Sequence, residues 1–196
     1  MQPDYIVFAG INGAGKTTLY KSNLWKFSST PSRLSRVNPD EIIRDNGLNP
    51  ESQSDQLEAG KIAVNQIRRL FEKRNSFTHE TVFAGKTSIK RIEEAKRRGY
   101  RVVLNYVGLK DTELAIERIT RRVEVGGHNI DPELVKKRWA SSLNNLAIAK
   151  QICDFVNVFD NTDYLKEIAA WDHGTLCWWG ASKVRGEWLL DSLLDE

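Results

Sequence analysis

The chain has 196 residues, of which 40% are apolar and 28% charged, and its formal net charge is +3. This length gives one domain with a substantial core, and the balance excludes a disordered or fibrous chain. The small positive charge allows an anionic ligand but is not the basic stripe of a nucleic-acid binder. No stretch is apolar and long enough for a signal peptide or membrane span, so a cytoplasmic protein is expected. Cys153 and Cys177 share no motif spacing with each other or with His79, His128 and His173, which argues for free thiols and against zinc.

The first apolar run, Tyr5–Ala9, leads into Gly10-Ile11-Asn12-Gly13-Ala14-Gly15-Lys16-Thr17-Thr18. Gly10, Gly15, Lys16 and Thr17 fit G-x-x-x-x-G-K-[ST], between a buried strand and a helix pattern from Lys16 to about Trp25. Glycine backbones can turn successive N–H groups around a phosphate, and the helix adds its positive end. Lys16 then reaches the β- and γ-phosphates, and the Thr17 hydroxyl ligates Mg²⁺. A nucleoside triphosphate, expected to be ATP, is cradled by Gly10, Asn12, Gly13, Ala14, Gly15, Lys16, Thr17 and Thr18.

Short apolar runs then alternate with amphipathic segments, the signature of a parallel sheet with crossover helices. The remaining strands are predicted near Arg36–Asn38, at Ser76–Thr81, Arg101–Tyr106 and Asp154–Phe159. The remaining helices are predicted at Asp55–Lys73, Thr87–Arg98, Asp111–Val125 and Pro132–Gln151, with loops at 28–32 and at Gly126-Gly127. The fold class is therefore α/β, a sheet of about five parallel strands with helices on both faces.

In such sheets ligands bind beyond the carboxyl ends of the strands. After the second strand comes Asn38-Pro39-Asp40-Glu41, where Pro39 suits a first helical turn presenting Asp40. Asp40 is either the base that takes a proton from an attacking hydroxyl or a cap for backbone N–H groups. Arg44, on the helical run that follows, joins it as a substrate-binding candidate. The third strand ends in Glu80-Thr81, which could hold substrate hydroxyls or a Mg²⁺-bound water, or be an ordinary strand end. His79 should point to the opposite face. The fourth strand lacks the usual terminal Asp, and no N-K-x-D motif marks a GTPase.

On the helix that follows, Ala115, Ile116, Ile119 and Val123 form the apolar face. Arg118 and Arg122 share one flank, where two guanidiniums could clamp phosphate oxygens, while Arg121 faces solvent. Arg138 sits beside Trp139 on the next helix, and Gly126-Gly127 could hinge a helical lid. The segment from about Tyr164 carries Trp171, Trp178, Trp179 and Trp188, four of six tryptophans, and reads as a layer covering the core. Residues 1–163 are thus the expected catalytic unit, with a Trp-rich extension, 164–196, packed on the same domain.

The ordered set Gly10–Thr18, Asn38-Pro39-Asp40-Glu41, Glu80-Thr81, Gly99-Tyr100, Arg118 to Arg122, Gly126-Gly127-His128, the run from Arg138 to Leu146, and Phe159-Asp160-Asn161 resembles the zeta-toxin family of P-loop kinases, in its short, single-domain branch. The resemblance covers residues 4 to about 162. It implies a P-loop kinase fold and ATP-dependent phosphorylation of a hydroxyl on UDP-N-acetylglucosamine, within bacterial toxin–antitoxin systems. Carried over, Lys16 and Thr17 match the phosphate and Mg²⁺ residues, Asp40 the catalytic base and Glu80 a substrate-binding glutamate. The family's lid arginines are spaced differently, so Arg118, Arg122 and Arg138 stand as candidates. An antitoxin would be a separate chain or the tail. Two rival readings keep the nucleotide site: a kinase for an antibiotic, another sugar or a nucleic-acid 5′-hydroxyl, and a non-catalytic nucleotide switch.

Overall fold

A computed structural model describes residues 2–26, 34–124, 126–127, 129–182 and 185–193, the last three of these without their side chains. The predicted loop at 28–32, the helix end at Val125 and His128 lie outside the described residues.

In chain order the elements are β1 (Asp4–Ala9), α1 (Lys16–Ser22), β2 (Ser35–Val37), α2 (Pro39–Asp45), α3 (Gln53–Glu72), β3 (Phe77–Thr81) and α4 (Lys86–Arg97). They continue as β4 (Arg101–Gly108), α5 (Thr112–Glu124), α6 (Pro132–Ala149), β5 (Phe155–Asp160), β6 (Lys166–Asp172), β7 (Thr175–Trp179) and α7 (Glu187–Leu193). The strands form one sheet in the order β2-β3-β1-β4-β5-β6-β7. The first five are mutually parallel, and the last two pair antiparallel.

The architecture is the α/β one expected, with two strands more than the alternation predicts. Both come from the Trp-rich tail. Asp172 and Thr175 are joined through His173 and Gly174, with φ of 48° and 77°. Two successive positive φ values are the twist-matched hairpin turn that lets β7 fold straight back on β6. Of the tail tryptophans, Trp171 and Trp188 are buried, Trp179 is half-buried and Trp178 is exposed.

Strand β1 is buried throughout because it lies between β3 and β4 with helices over both faces. Its alternate residues divide the core. Tyr5, Val7 and Ala9 join one cluster with Ile67 and Phe71 of α3, Ile92 of α4, Leu146 of α6 and Leu189 of α7. Ile6 and Phe8 join the other with Leu19 of α1, Ala115 and Ile119 of α5 and Val135 of α6. Helix α1 stops at Ser22, three residues short of the predicted Trp25, because Asn23 turns left-handed with φ 61°. Trp25 folds back onto Phe8, ring centroids 5.1 Å apart. None of the described helices is long and apolar enough to cross a membrane.

Candidate active site

The loop between β1 and α1 takes its shape from three glycines, with Gly10, Gly13 and Gly15 at φ 135°, 82° and 100°. All three also answer to close packing, and a Cβ on Gly13 would lie 2.6 Å from the Ala115 carbonyl oxygen. A Cβ on Gly10 would lie 2.2 Å from the Val107 carbonyl oxygen, and one on Gly15 would lie 2.2 Å from Asn161 Nδ2. Asn161 follows β5 and donates to the Ala14 carbonyl at 2.8 Å, so the end of β5 braces the loop from outside. Arg138 of α6 donates to Asn12 Oδ1 at 2.9 Å and braces it from the other side. Thr18 stands exposed in the first turn of α1.

Lys16 is 8% exposed, and its Nζ donates to the Ile11 carbonyl at 3.0 Å, spanning the mouth of the loop. Burial pulls its pKa below the ordinary lysine value. Glu80 and Asp40 oppose that shift in that order, while Arg122 and Arg138 add to it. One buried ammonium therefore senses four of the residues singled out from the sequence.

Glu80 is the penultimate residue of β3 and reaches Thr17 at the end of the loop. The Thr17 hydroxyl lies 3.3 Å from Glu80 Oε1, and Oε2 accepts from Asn38 Nδ2 at 3.1 Å and Arg36 Nη2 at 2.8 Å. Thr81 turns its hydroxyl inward to accept from the Phe83 N–H at 3.1 Å, holding a residue at φ 64°. His79, on the opposite face as expected, is buried with its Nδ1 2.9 Å from the Tyr5 hydroxyl. Burial, helped by Arg91, lowers its pKa to about 3.

Asp40 lies in the first turn of α2, and the cap of that helix is Asn38, whose Oδ1 accepts from the Asp40 N–H at 3.0 Å. The Asp40 carboxylate is exposed and makes no hydrogen bond with a described residue. Of its two roles read from the sequence, capping is thus done by a neighbour. A cavity of 440 Å³ opens beside it, lined by Asp40, Ile43, Arg44, Leu48, Pro50, Arg122 and Gly126-Gly127. Arg44 is exposed there and pairs with Asp45 at 2.9 Å.

The three candidate arginines separate. Arg122 lines the cavity and Arg138 holds the phosphate loop. Arg118 instead donates from Nη2 to the Thr162 carbonyl at 2.9 Å, on the loop after β5. The flank shared by Arg118 and Arg122 on the helix diverges because a full turn places them against different loops. Three contributors escaped prediction: Arg36, Asn38 and Asn161. Asn38 carried a legible signal, since Asn before Pro is a helix-start pattern. Arg36 and Asn161 act through long-range contacts that no local pattern encodes.

A triphosphate fits the loop: glycines at positive φ let successive backbone N–H groups turn inward, and Lys16 stands at its mouth. A hard divalent cation fits the oxygen pair of Thr17 and Glu80, completed by phosphate and water oxygens. Among the described residues no cluster of three or more His, Cys, Asp or Glu could hold a metal without such help.

A family model described as Zeta toxin matches residues 1–169. An uncharacterised protein of Haemophilus influenzae is 31% identical over 140 residues, 71% of this chain and 94% of its own length. Two solved structures share the fold. A chain of the AvrRxo1-ORF1:-ORF2 structure with ATP superposes on 100% of this chain with a TM-score of 0.67 and 17% identity. This protein spans 65% of that chain's length. A chain from the PezAT toxin–antitoxin system of Streptococcus pneumoniae gives a TM-score of 0.63 at 16% identity, over 100% of this chain and 80% of that one.

Proposed function

The chain belongs to the zeta-toxin family, and from that premise we propose that it is an ATP-dependent kinase that transfers the γ-phosphate to a hydroxyl of UDP-N-acetylglucosamine or a related sugar nucleotide. One observation carries the reading. The uncommitted carboxylate of Asp40 faces a cavity it shares with Arg122, and both act on the buried Lys16 that guards the phosphate loop.

In this reading the loop amides and Lys16 hold the β- and γ-phosphates, and Thr17 with Glu80 holds Mg²⁺. The bound cation supplies charge neutralisation as the phosphoryl group moves. Asp40 accepts the proton of the acceptor hydroxyl. Arg122, on the cavity wall, and Arg138, at the loop, stabilise charge spreading over the phosphoryl oxygens. Arg44 flanks the acceptor, whereas the Thr81 hydroxyl is taken by the Phe83 N–H and shapes the turn after β3. Residues 1–163 make the kinase unit and 164–196 an extension packed on it. The protein works in the cytoplasm, where ATP is, and a separate antitoxin chain restrains it, as the description of the PezAT relative suggests.

ATP consumption with and without UDP-N-acetylglucosamine tests the substrate, with mass spectrometry of the product. A phosphorylated sugar nucleotide is the expected outcome. If the sugar nucleotide leaves turnover unchanged while a metabolite extract yields another phosphorylated species, the kinase stands and the acceptor is wrong.

A further inference from the structure

Arg36 lies outside every role assigned above, yet it joins two carboxylates beside the site. It projects from β2 with only 11% of its side chain exposed, and its guanidinium lies 3.5 Å from the centroid of the Tyr20 ring. Nε pairs with Glu41 Oε1 at 2.8 Å, and Nη2 pairs with Glu80 Oε2 at 2.8 Å. Glu41 is the residue after Asp40 in the first turn of α2. Glu80 is the carboxylate beside Thr17. Tyr20 belongs to α1, which opens from the phosphate loop. Among the described residues, Arg36 alone forms ion pairs with both glutamates.

The bridge has a cost that identifies it as specific. Nη1 is buried with no hydrogen-bond partner among the described residues, and a buried donor left unmet opposes folding. Only a planar fork can stack on a ring and point two donors at carboxylates on different elements; a lysine ammonium is a point charge on a flexible stem.

We propose that Arg36 is a positioning residue that fixes the acceptor-side helix, and with it Asp40, at its working distance from the phosphate held by Lys16 and Thr17. The inference rests on the kinase reading. Its consequence falls chiefly on the chemical step, because Arg36 touches neither the loop amides nor Lys16, and in Arg36→Lys a cation still stands beside Glu80.

The test compares the native protein with Arg36→Lys, Arg36→Met and Glu41→Gln. It measures Mg-ATP affinity, kcat and KM with UDP-N-acetylglucosamine, and thermal unfolding. Arg36→Lys should bind ATP within about threefold of native and lose kcat by about 30- to 100-fold, the scale set by a misplacement of about 1 Å. Glu41→Gln should lose less, by about tenfold, since it cuts one arm of the bridge and leaves Glu80 paired. A kcat for Arg36→Lys within twofold of native overturns the inference, as does a loss no larger than the fraction of protein unfolded at the assay temperature. If the Met variant fails to fold, the Lys and Glu41 variants decide. A native protein that binds no ATP sinks the kinase reading itself, whereas a competent native enzyme indifferent to both substitutions sinks only the role of Arg36.

Discussion

Lys16 is 8% exposed and hydrogen-bonded to its own loop, while Asp40, Arg44 and Arg122 stand exposed around a 440 Å³ cavity. The phosphate side is held from both flanks, by Asn161 on Ala14 and Arg138 on Asn12. The acceptor side is pinned mainly at its base, where Asn38 and Arg36 reach Glu80. The contrast separates two tasks. A triphosphate has a fixed shape that rewards a preorganised cradle, whereas the wall proposed for the acceptor presents exposed, charged side chains that an incoming ligand would desolvate.

Substitutions that divide binding from chemistry probe this contrast most sharply. Asp40→Asn should lower acceptor-dependent turnover by about 10³-fold, within the range for a general base. It should leave ATP affinity near native in calorimetry; a matching loss of ATP binding would break the division. Lys16→Met should do the reverse, weakening ATP binding and cutting turnover by about 10²-fold. Gly15→Ala tests how rigid the cradle is. The new Cβ would stand 2.2 Å from Asn161 Nδ2 at φ 100°, so about 1–3 kcal/mol of stability should go, read in urea unfolding. On the open side, Arg44→Ala should raise the acceptor KM only about fivefold, the worth of roughly 1 kcal/mol from an exposed charge. A stability effect, separate from binding and turnover, concerns the floor beneath both sides. Folded His79 has a pKa of about 3 against 6.5 for the free side chain, so between those values the unfolded chain binds a proton that the native one excludes. Stability should therefore fall as pH drops from 6.5 towards 3, and His79→Phe should flatten that decline in thermal melts.

The donor site was legible because its determinants are contiguous: glycines, Lys16 and Thr17 fall within nine residues, and each acts through the local backbone. Asp40 and Glu80 were legible for a different reason, since parallel sheets place strand ends at one rim. Sequence reasoning weakened where a contact depends on three-dimensional register. Helical spacing alone grouped Arg118 with Arg122, but the loop after β5 takes Arg118 through the Thr162 carbonyl. Arg36 looked like one charge among 29 basic residues until β2 was placed beside β3. The tail showed its tryptophans but not its hairpin, because Lys166–Asp172 mixes charged and apolar residues without clean alternation and β7 is mostly exposed at the sheet edge.

Asp160 adds a consequence for how the protein is made. Its buried carboxylate accepts from Trp188 Nε1 at 2.8 Å and pairs with Arg185, while the next residue, Asn161, clasps Ala14. The first nucleotide-binding loop translated is therefore supported by a strand end that is itself anchored by residues near 188. A nascent chain would display the glycine loop early and finish tightening it only once those late residues emerge from the ribosome.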